Sequence, residues 1–231
     1  MEEKCEGQLK TNKMKKPIYV VLNILFYLFI FIMLVIAVFN IVYKKALVEG
    51  VSMQPTVNAT WDESKQNGDT AYYTTLMKQS IKTGDLIVAK SPSGNMIIKR
   101  FIADENDRFC VWLIDGYFRI IINGNVLDES YLKNMEINRT LYLRINNLIL
   151  DGIIPASCVS EGYIDYEGGR YVTQIITVPE GYCFYLGDNR EVSDDCSKYG
   201  LVKKENIIAK ISFIVPNNMN IIQYFWSKIF K

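Results

Sequence analysis

The chain has 231 residues, 49% of them hydrophobic, and 26 lysines and arginines against 25 aspartates and glutamates give a net charge of +1. This balance argues against a general nucleic-acid-binding surface, which requires an excess of basic residues. The histidine count of 0 excludes a Ser-His-Asp triad, a Cys-His dyad or a His-ligated metal site built from this chain. A hydrolytic site would therefore need lysine, aspartate, glutamate or tyrosine as its base.

The first predicted element is an uncharged apolar stretch over residues 18–43. It is longer than the roughly 20 residues with which a helix crosses a bilayer core. A secretory signal peptide has a shorter apolar core and a small-residue cleavage site, whereas Lys44 and Lys45 follow here. We therefore predict an uncleaved single-pass anchor, with a buried core helix as the less favoured alternative.

Lysines on either side of the anchor predict its orientation. More of them precede it than follow it, and basic residues favour the cytoplasmic side. We expect residues 1–17 to be a cytoplasmic tail and residues 46–231 an extracytoplasmic domain at the plasma membrane. The lysines before the anchor are Lys4, Lys10, Lys13, Lys15 and Lys16.

Beyond the anchor, short apolar runs separated by turn residues predict a mostly β, antiparallel domain with long loops. Asp115-Gly116 and Asn123-Gly124 are hairpin signals. Residues 58–83 are polar and turn-rich, and we predict a surface insertion there with one short helix. Helical periodicity is weak elsewhere, and residues 138–169 show no clear pattern. The predicted strands are Leu86–Lys90, 96–102, Arg108–Ile114, Tyr117–Ile122, 171–178, Tyr182–Leu186 and Ile207–Val215.

Two residues could form a catalytic pair without histidine. Ser52 lies between Gly50 and Pro55 soon after the anchor; such a serine is usually a turn residue, but here it could attack a peptide bond just outside the bilayer. Lys99 lies in an apolar strand, where burial can lower the pKa of an amine from about 10.4 by up to roughly 3–5 units. The alternative for Lys99 is a strand-edge lysine whose amine reaches water.

A third segment follows an apolar strand. Gly187-Asp188-Asn189-Arg190, with Ser193 and Asp195 after it, supplies a tight turn, carboxylates and hydrogen-bond donors. The alternative reading is a polar turn with local ion pairs.

Taken in chain order, these segments resemble type I signal peptidase, the membrane-anchored Ser-Lys endopeptidase that removes signal peptides from exported proteins. The resemblance implies a signal-peptidase-like β-rich catalytic domain behind a single anchor. The segments that carry the resemblance are residues 50–56, Gly84-Asp85, residues 98–100, and residues 187–190 with Ser193, Asp195 and Gly200.

The resemblance implies a role for each residue of the reacting group. Ser52 would attack the scissile carbonyl, and Lys99 would act as its general base and then protonate the leaving amine. Ser193 would hydrogen-bond the lysine amine, and the backbone N–H of Ser52 would donate to the oxyanion. Gly50 stands where some members carry a serine whose hydroxyl completes the oxyanion hole. That side-chain donor is absent here, as it is in the family's Gram-positive-type members.

The resemblance also implies supporting residues. Arg100 and Asp188 would form an ion pair, and Asp195 would be structural. Met53 and Ile98 would line the substrate pocket.

Two departures from the family pattern concern loops. Residues 103–107 replace the usual Gly-x-Pro-Gly-Asp turn, of which only Asp107 remains. Asp195-Cys196-Ser197 replaces Asp-Ser-Arg, so the arginine partner of Asp195 is missing. Neither change touches Ser52 or Lys99, and we expect activity to survive.

The leading functional expectation is cleavage of exported preproteins after small residues. The lipid bilayer, and secretion machinery, would be further partners, with no nucleic acid and no metal or organic cofactor. A non-catalytic anchored protein that binds peptides and a peptidase specialised for one secreted precursor remain alternatives. We expect the aromatic C-terminal residues 221–231 to pack on the domain, with contact to the membrane interface as the alternative.

Overall fold

The computed structural model describes residues 3–61, 64, 67–132 and 138–230, with only the backbone described at 3–17 and 77–79. The chain divides into two compact units, Met1–Lys44 and Lys45–Lys231. In the first unit a single helix, α1, runs over Glu3–Val42. Its segment Ile18–Val42 has a mean hydropathy of 3.0 and is, by length and composition, able to cross a membrane. The predicted apolar anchor is thus helical, and α1 also extends back through the predicted tail.

The described part of the remaining chain contains twelve strands and three further α-helices. The strands are β1 (Lys44–Leu47), β2 (Thr70–Thr74), β3 (Leu86–Lys90), β4 (Met96–Ala103), β5 (Arg108–Ile114), β6 (Tyr117–Ile122), β7 (Asn125–Val126), β8 (Val159–Tyr166), β9 (Gly169–Thr177), β10 (Tyr182–Leu186), β11 (Val202–Lys203) and β12 (Ile207–Val215). The helices are α2 (Asn138–Leu150), α3 (Cys196–Tyr199) and α4 (Ile221–Ile229).

These strands form two sheets. One has seven strands in the order β1-β2-β12-β3-β4-β10-β11, and the other has five in the order β7-β6-β5-β9-β8. Neighbours such as β3 and β4, β4 and β10, and β5 and β6 pair antiparallel. The prediction of a mostly β, antiparallel domain behind an apolar helix is confirmed.

Both predicted hairpin turns are present in the five-stranded sheet. Asp115 and Gly116, between β5 and β6, have φ of +51° and +79°. Asn123 and Gly124, between β6 and β7, have φ of +50° and +83°. Two consecutive left-handed residues match the twist of the flanking strands, which is why these dipeptides predicted the turns correctly.

The unusual turn at residues 103–107 closes without the glycines and proline of the family pattern. Asn106 takes the left-handed conformation, with φ of +68°. The Asp107 carboxylate accepts a hydrogen bond from the Asp104 N–H at 2.8 Å. Lys204 Nζ forms ion pairs with Asp104 at 2.7 Å and Glu105 at 3.2 Å. A left-handed asparagine and four charged side chains therefore hold this turn in place of the expected glycines and proline.

The prediction that residues 58–83 form a surface insertion is wrong for β2. This strand lies inside the seven-stranded sheet between β1 and β12, and Ala71 and Tyr73 are buried. In β2, Ala71 and Tyr73 point inward and alternate with outward neighbours. This alternation is too short to be recognised among the surrounding polar residues. The predicted short helix is a 3-10 helix over Thr75–Ser80. Residues 62, 63, 65 and 66 lie outside the described residues.

Helix α2 corrects the expectation of weak helical periodicity after the anchor. Leu141, Ile145 and Leu148 are buried, and their spacing of four and three residues places them on one helix face. Asn146 and Asn147, which lie between the last two of them, obscured this pattern in the sequence.

The C-terminal helix α4 packs on the domain, as predicted. Asn220 and Gln223 form a reciprocal cap at its first turn. The rings of Tyr224 and Phe225 lie 5.6 and 5.3 Å from that of Phe213 on β12. Ile222, Trp226 and Ile229 are exposed on the other side of the helix.

The main hydrophobic core joins both sheets. Ile87 and Phe101 from the seven-stranded sheet belong to the same buried cluster as Phe109 and Ile176 from the five-stranded sheet. A second cluster lies around β2 and contains Met53. The cysteines with described side chains are buried free thiols: Cys110, Cys158, Cys183 and Cys196.

Candidate active site

Residues 48–57 follow β1 and carry Ser52, the predicted nucleophile, so we call them the nucleophile loop. Hydrogen bonds within its own backbone hold this loop. Gly50 has φ of +82°, a conformation that favours glycine. The Gln54 N–H donates to the Val51 carbonyl at 3.1 Å, and the Val57 N–H donates to the Met53 carbonyl at 3.0 Å. This tight turn leaves the Ser52 side chain half-buried.

Lys99 meets Ser52 across 47 residues of sequence. It lies in β4 opposite Ile87 of β3, and its side chain points to the face that carries the nucleophile loop. Its Nζ is 2.9 Å from Ser52 Oγ, within hydrogen-bond distance. Lys99 is 2% exposed, so the alternative of an amine that reaches water does not apply.

The surroundings of Lys99 favour an uncharged amine. Burial lowers the pKa of Lys99 from its ordinary 10.5, although the carboxylates of Asp195, Asp194 and Asp188 oppose that shift. Removal of water is the larger effect because it penalises the ammonium form. A neutral amine at 2.9 Å from a serine hydroxyl can accept its proton.

Arg100 follows Lys99 in β4, and strand alternation sends its side chain to the other face. There it makes a two-pronged ion pair with Asp188: Nε to Oδ1 at 2.8 Å and Nη2 to Oδ2 at 2.6 Å. Its Nη1 donates to the Gly84 carbonyl at 2.7 Å, and its guanidinium lies 3.7 Å from the centre of the Tyr131 ring. The pair thus ties β4 to the turn after β10.

Asp195 is held by backbone groups in place of an arginine. Its Oδ2 accepts from the Gly187 N–H at 2.8 Å, and its Oδ1 accepts from the Ser197 N–H at 2.9 Å. The second bond caps helix α3. Arg144 of α2 donates to the Arg190 and Glu191 carbonyls at 2.8 and 2.7 Å, so an arginine from another element supports the same loop.

The expected hydrogen bond from Ser193 to the lysine amine is absent. Ser193 is fully buried, and its Oγ has no hydrogen-bond partner among the described residues. The hydroxyl packs instead over Gly187, where a side-chain carbon would collide with it. Ser193 therefore lies close to the site without orienting Lys99 through a hydrogen bond.

Gly187 and Asn189 hold the nucleophile loop from the opposite side. The Asn189 N–H donates to the Ser52 carbonyl at 3.0 Å, and its side-chain amide donates to the Val51 carbonyl at 3.2 Å. A side-chain carbon on Gly187 would lie 2.5 Å from the Ser52 carbonyl oxygen. Neither role was predicted, because contacts to a backbone carbonyl leave no mark in residue spacing.

An apolar groove of about 200 Å³ runs beside Ser52. Met53, Ile98 and Gly50 line it, and the first two are the residues predicted to line the substrate pocket. Ala71 and Tyr73 also line it, and these were missed because β2 had been assigned to a surface insertion. The small volume and apolar walls suit short aliphatic side chains.

Behind the turn after β10, a buried ion pair holds Arg190 to Glu129 at 2.6 Å. Asn138 donates to the same carboxylate at 2.8 Å and is itself fully buried. Asn58 is 1% exposed. Asn58 and Asn138 each begin an Asn-x-Thr triplet, the acceptor sequence for N-glycosylation, and both side chains have internal hydrogen-bond partners instead. Among the residues that the structure describes, no group of three or more His, Cys, Asp or Glu side chains could hold a metal ion.

Known proteins with similar sequences are signal peptidases. Signal peptidase I of Buchnera aphidicola subsp. Baizongia pistaciae is 25% identical over 171 residues, covering 58% of this chain and 54% of that protein. Signal peptidase I of Rickettsia prowazekii is 32% identical over 148 residues, covering 57% and 50%. Signal peptidase I of Bacillus caldolyticus is 28% identical over 174 residues, covering 74% and 79%.

The chain spans about half the length of the first two of these relatives. A family model described as signal peptidase, peptidase S26 matches residues 21–216. This match includes most of the apolar helix, the nucleophile loop, β4 and the turn after β10. Because it covers most of the chain, the protein belongs to the signal peptidase, peptidase S26 family.

Proposed function

We propose that this protein is a membrane-anchored serine endopeptidase that removes N-terminal signal peptides from exported preproteins. The observation that carries the proposal is the 2.9 Å separation of Ser52 Oγ and Lys99 Nζ, with the amine buried. That separation favours a peptidase over the non-catalytic, peptide-binding alternative, which has no need of a desolvated lysine beside a serine.

The chemistry follows from these two groups. Neutral Lys99 takes the proton of the Ser52 hydroxyl as Oγ bonds to the scissile carbonyl carbon. The resulting ammonium gives that proton to the leaving amine as the C–N bond breaks. Lys99, neutral again, then takes a proton from the water that attacks the ester carbonyl carbon. It returns that proton to Ser52 Oγ as the ester C–O bond breaks. One residue thus serves as base and then acid in each half of the reaction and ends neutral.

The developing oxyanion would be stabilised by the backbone N–H of Ser52. Gly50 offers no side-chain donor, and its φ of +82° disfavours a serine at this position. Removal of one such donor in another serine protease costs about 2.7–4 kcal/mol. We expect a second donor here to come from backbone or water.

Substrate selection would come from the groove. An extended peptide can add to the edge of a sheet through backbone hydrogen bonds while pockets accept alternate side chains. The 200 Å³ groove with Met53 and Ile98 in its walls would accept small residues before the scissile bond. The apolar helix Ile18–Val42 would hold the enzyme in the plasma membrane, with its N-terminus cytoplasmic and residues 46–231 outside.

The test is incubation of the purified full chain in detergent with a preprotein that carries an Ala-x-Ala site, followed by mass spectrometry of the cut ends. We expect one cut after the second alanine, lost in Ser52→Ala and in Lys99→Met. Lys90→Met, a matched change at an exposed lysine of β3, should cleave normally. Cleavage by Ser52→Ala would refute the proposal.

A further inference from the structure

Asn58 and Asp69 form a buried pair beneath the nucleophile loop. They are 1% and 7% exposed. The Asn58 N–H donates to Asp69 Oδ2 at 2.7 Å, and the Asp69 N–H donates to Asn58 Oδ1 at 2.6 Å. Burial of an amide and a carboxylate is costly unless each is hydrogen-bonded. The pair meets that requirement with reciprocal bonds between side chain and backbone.

The remaining donors of Asn58 reach the segment just before Ser52. Its Nδ2 donates to the Val48 carbonyl at 2.8 Å and to the Gly50 carbonyl at 3.0 Å. The Val48 N–H donates to the Asp69 carbonyl at 2.8 Å. Gly68 lies so close to the Val48 carbonyl that any side-chain carbon there would collide with it. Both backbone groups of Val48 are thus turned toward the pair.

Because Val48 faces the pair, the backbone groups of its two neighbours face the opposite edge of the segment. Backbone groups of successive residues in an extended chain point to opposite sides, so those of Leu47 and Glu49 point away from the pair. β1, which ends at Leu47, is the edge strand of its sheet. Residues 46–50 form one wall of the groove beside Ser52. The backbone groups of this wall that point away from the pair are those that an extended peptide would meet.

We propose that Asn58 and Asp69 are positioning residues that hold residues 47–50 in register for backbone pairing with the substrate. The proposal rests on the proposed peptidase function. Asp69 Oδ1 accepts from the Asn217 N–H at 3.0 Å, which fixes the pair to the segment after β12. Neither residue touches the substrate or the reacting atoms; they act through the carbonyls of Val48 and Gly50.

The test uses Asn58→Gly. Asn58 has φ of +58°, which glycine adopts without strain, so the backbone and its N–H bond to Asp69 are kept and only the amide is removed. The Val48 and Gly50 carbonyls then lose their donor. We expect KM for a preprotein peptide to rise roughly tenfold, the equivalent of one buried hydrogen bond. We expect kcat to stay within about twofold, with an unchanged pH midpoint, because Lys99 is positioned by β4.

Two controls separate positioning from stability. Asn123→Gly removes another left-handed asparagine (φ +50°), whose side chain bonds Arg108 N–H and Asp107 in a distant hairpin; KM should not change. Ile121→Ala opens a cavity in the five-stranded sheet, where Ile121 is buried, and should lower the melting temperature with KM unchanged.

A second readout does not depend on cleavage. Hydrogen exchange of residues 44–50, measured by mass spectrometry on the full chain, should accelerate in Asn58→Gly and in neither control. If the wild type cleaves no preprotein, the proposed function fails, and the exchange rates alone decide whether Asn58 holds this segment.

Unchanged KM and unchanged exchange in Asn58→Gly would overturn the positioning role, as would an equal rise of KM in Ile121→Ala. A fall in kcat with a shifted pH midpoint, at constant KM, would also overturn it.

Discussion

The two sheets of the domain differ in what they bury. In the seven-stranded sheet and its loops, Lys99, Arg100, Asp188 and Asp195 are all less than 9% exposed. Among the described residues, the strands of the five-stranded sheet bury no charged side chain. Its ion pair between Arg170 and Asp165 is long, at 3.9 Å, with side chains 67% and 82% exposed.

This difference indicates that the seven-stranded sheet and its loops carry groups whose burial lowers the stability of the fold, which we attribute to function. Burial of a charged or ionisable group costs several kcal/mol unless partners compensate for it. Hydrophobic residues at the same positions would make a simpler core. The concentration of such groups around Ser52 is the pattern expected of the proposed active site, which the five-stranded sheet would support.

The sharpest test of the contrast replaces the buried base. Lys99→Met keeps side-chain length and removes the amine, so cleavage of a preprotein should fall by about 10²–10⁴-fold. Circular dichroism should show the variant folded, because an apolar side chain suits the buried position. The same change at exposed Lys90 is the control. Cleavage within tenfold of wild type in Lys99→Met would remove the lysine from the mechanism.

The next test compares the two ion pairs. Asp188→Asn leaves the buried Arg100 charge without its partner and should lower the free energy of unfolding by about 3–5 kcal/mol. Asp165→Asn breaks the exposed pair and should change it by less than about 1 kcal/mol. Denaturant titration of both variants measures the difference. Equal losses of unfolding free energy in the two variants would mean that the buried ion pair stabilises the fold no more than the exposed one.

A third comparison uses two glycines. In Gly187→Ala the new methyl group meets the Ser52 carbonyl and Ser193 Oγ, neither of which can withdraw easily. We expect a loss of about 1–3 kcal/mol in stability together with slower cleavage. In Gly162→Ala the methyl group meets the flexible end of the Ile175 side chain, so activity should be retained. Normal cleavage by Gly187→Ala would show that the loop is less confined than described.

The smallest expected effect is on stability as a function of pH. The pKa of Lys99 is below 10.5 in the folded protein because of burial, whereas the unfolded chain retains the ordinary value. Between the two values the unfolded state binds more protons, so stability rises with pH. Below the folded pKa, the full cost of protonating the buried amine is present. As the pH rises between the folded and unfolded pKa values of Lys99, the denaturant midpoint of the wild type should therefore increase relative to that of Lys99→Met. Parallel plots of midpoint against pH for the two proteins would contradict the lowered pKa of Lys99.

Much of this fold could be predicted because its signals are local. The long uncharged stretch predicted helix α1, and Asp115-Gly116 and Asn123-Gly124 predicted two hairpins from their left-handed preference. β2 was missed because a short strand among polar residues carries too few alternations to register. Helix α2 was missed because Asn146 and Asn147 interrupt its apolar pattern.

The site could be predicted only as far as its chemistry is carried by side chains in sequence motifs. The motifs, and the resemblance that they carry, predicted Ser52, Lys99 and the pairing of Arg100 with Asp188. The contacts of Asn58 and Asn189 were not predicted, because these side chains reach backbone carbonyls that only folding brings near. The orientation of the Ser193 hydroxyl also depends on packing over Gly187, which no spacing reveals.

The most direct measurement is the titration of Lys99 itself, by NMR of carbon-labelled lysine in the full chain, with Lys99→Met to assign the signal. We expect a midpoint below 10.5, coincident with the pH at which cleavage of a preprotein becomes half-maximal. A midpoint at or above the ordinary value would leave Ser52 without a neutral base and would contradict the mechanism.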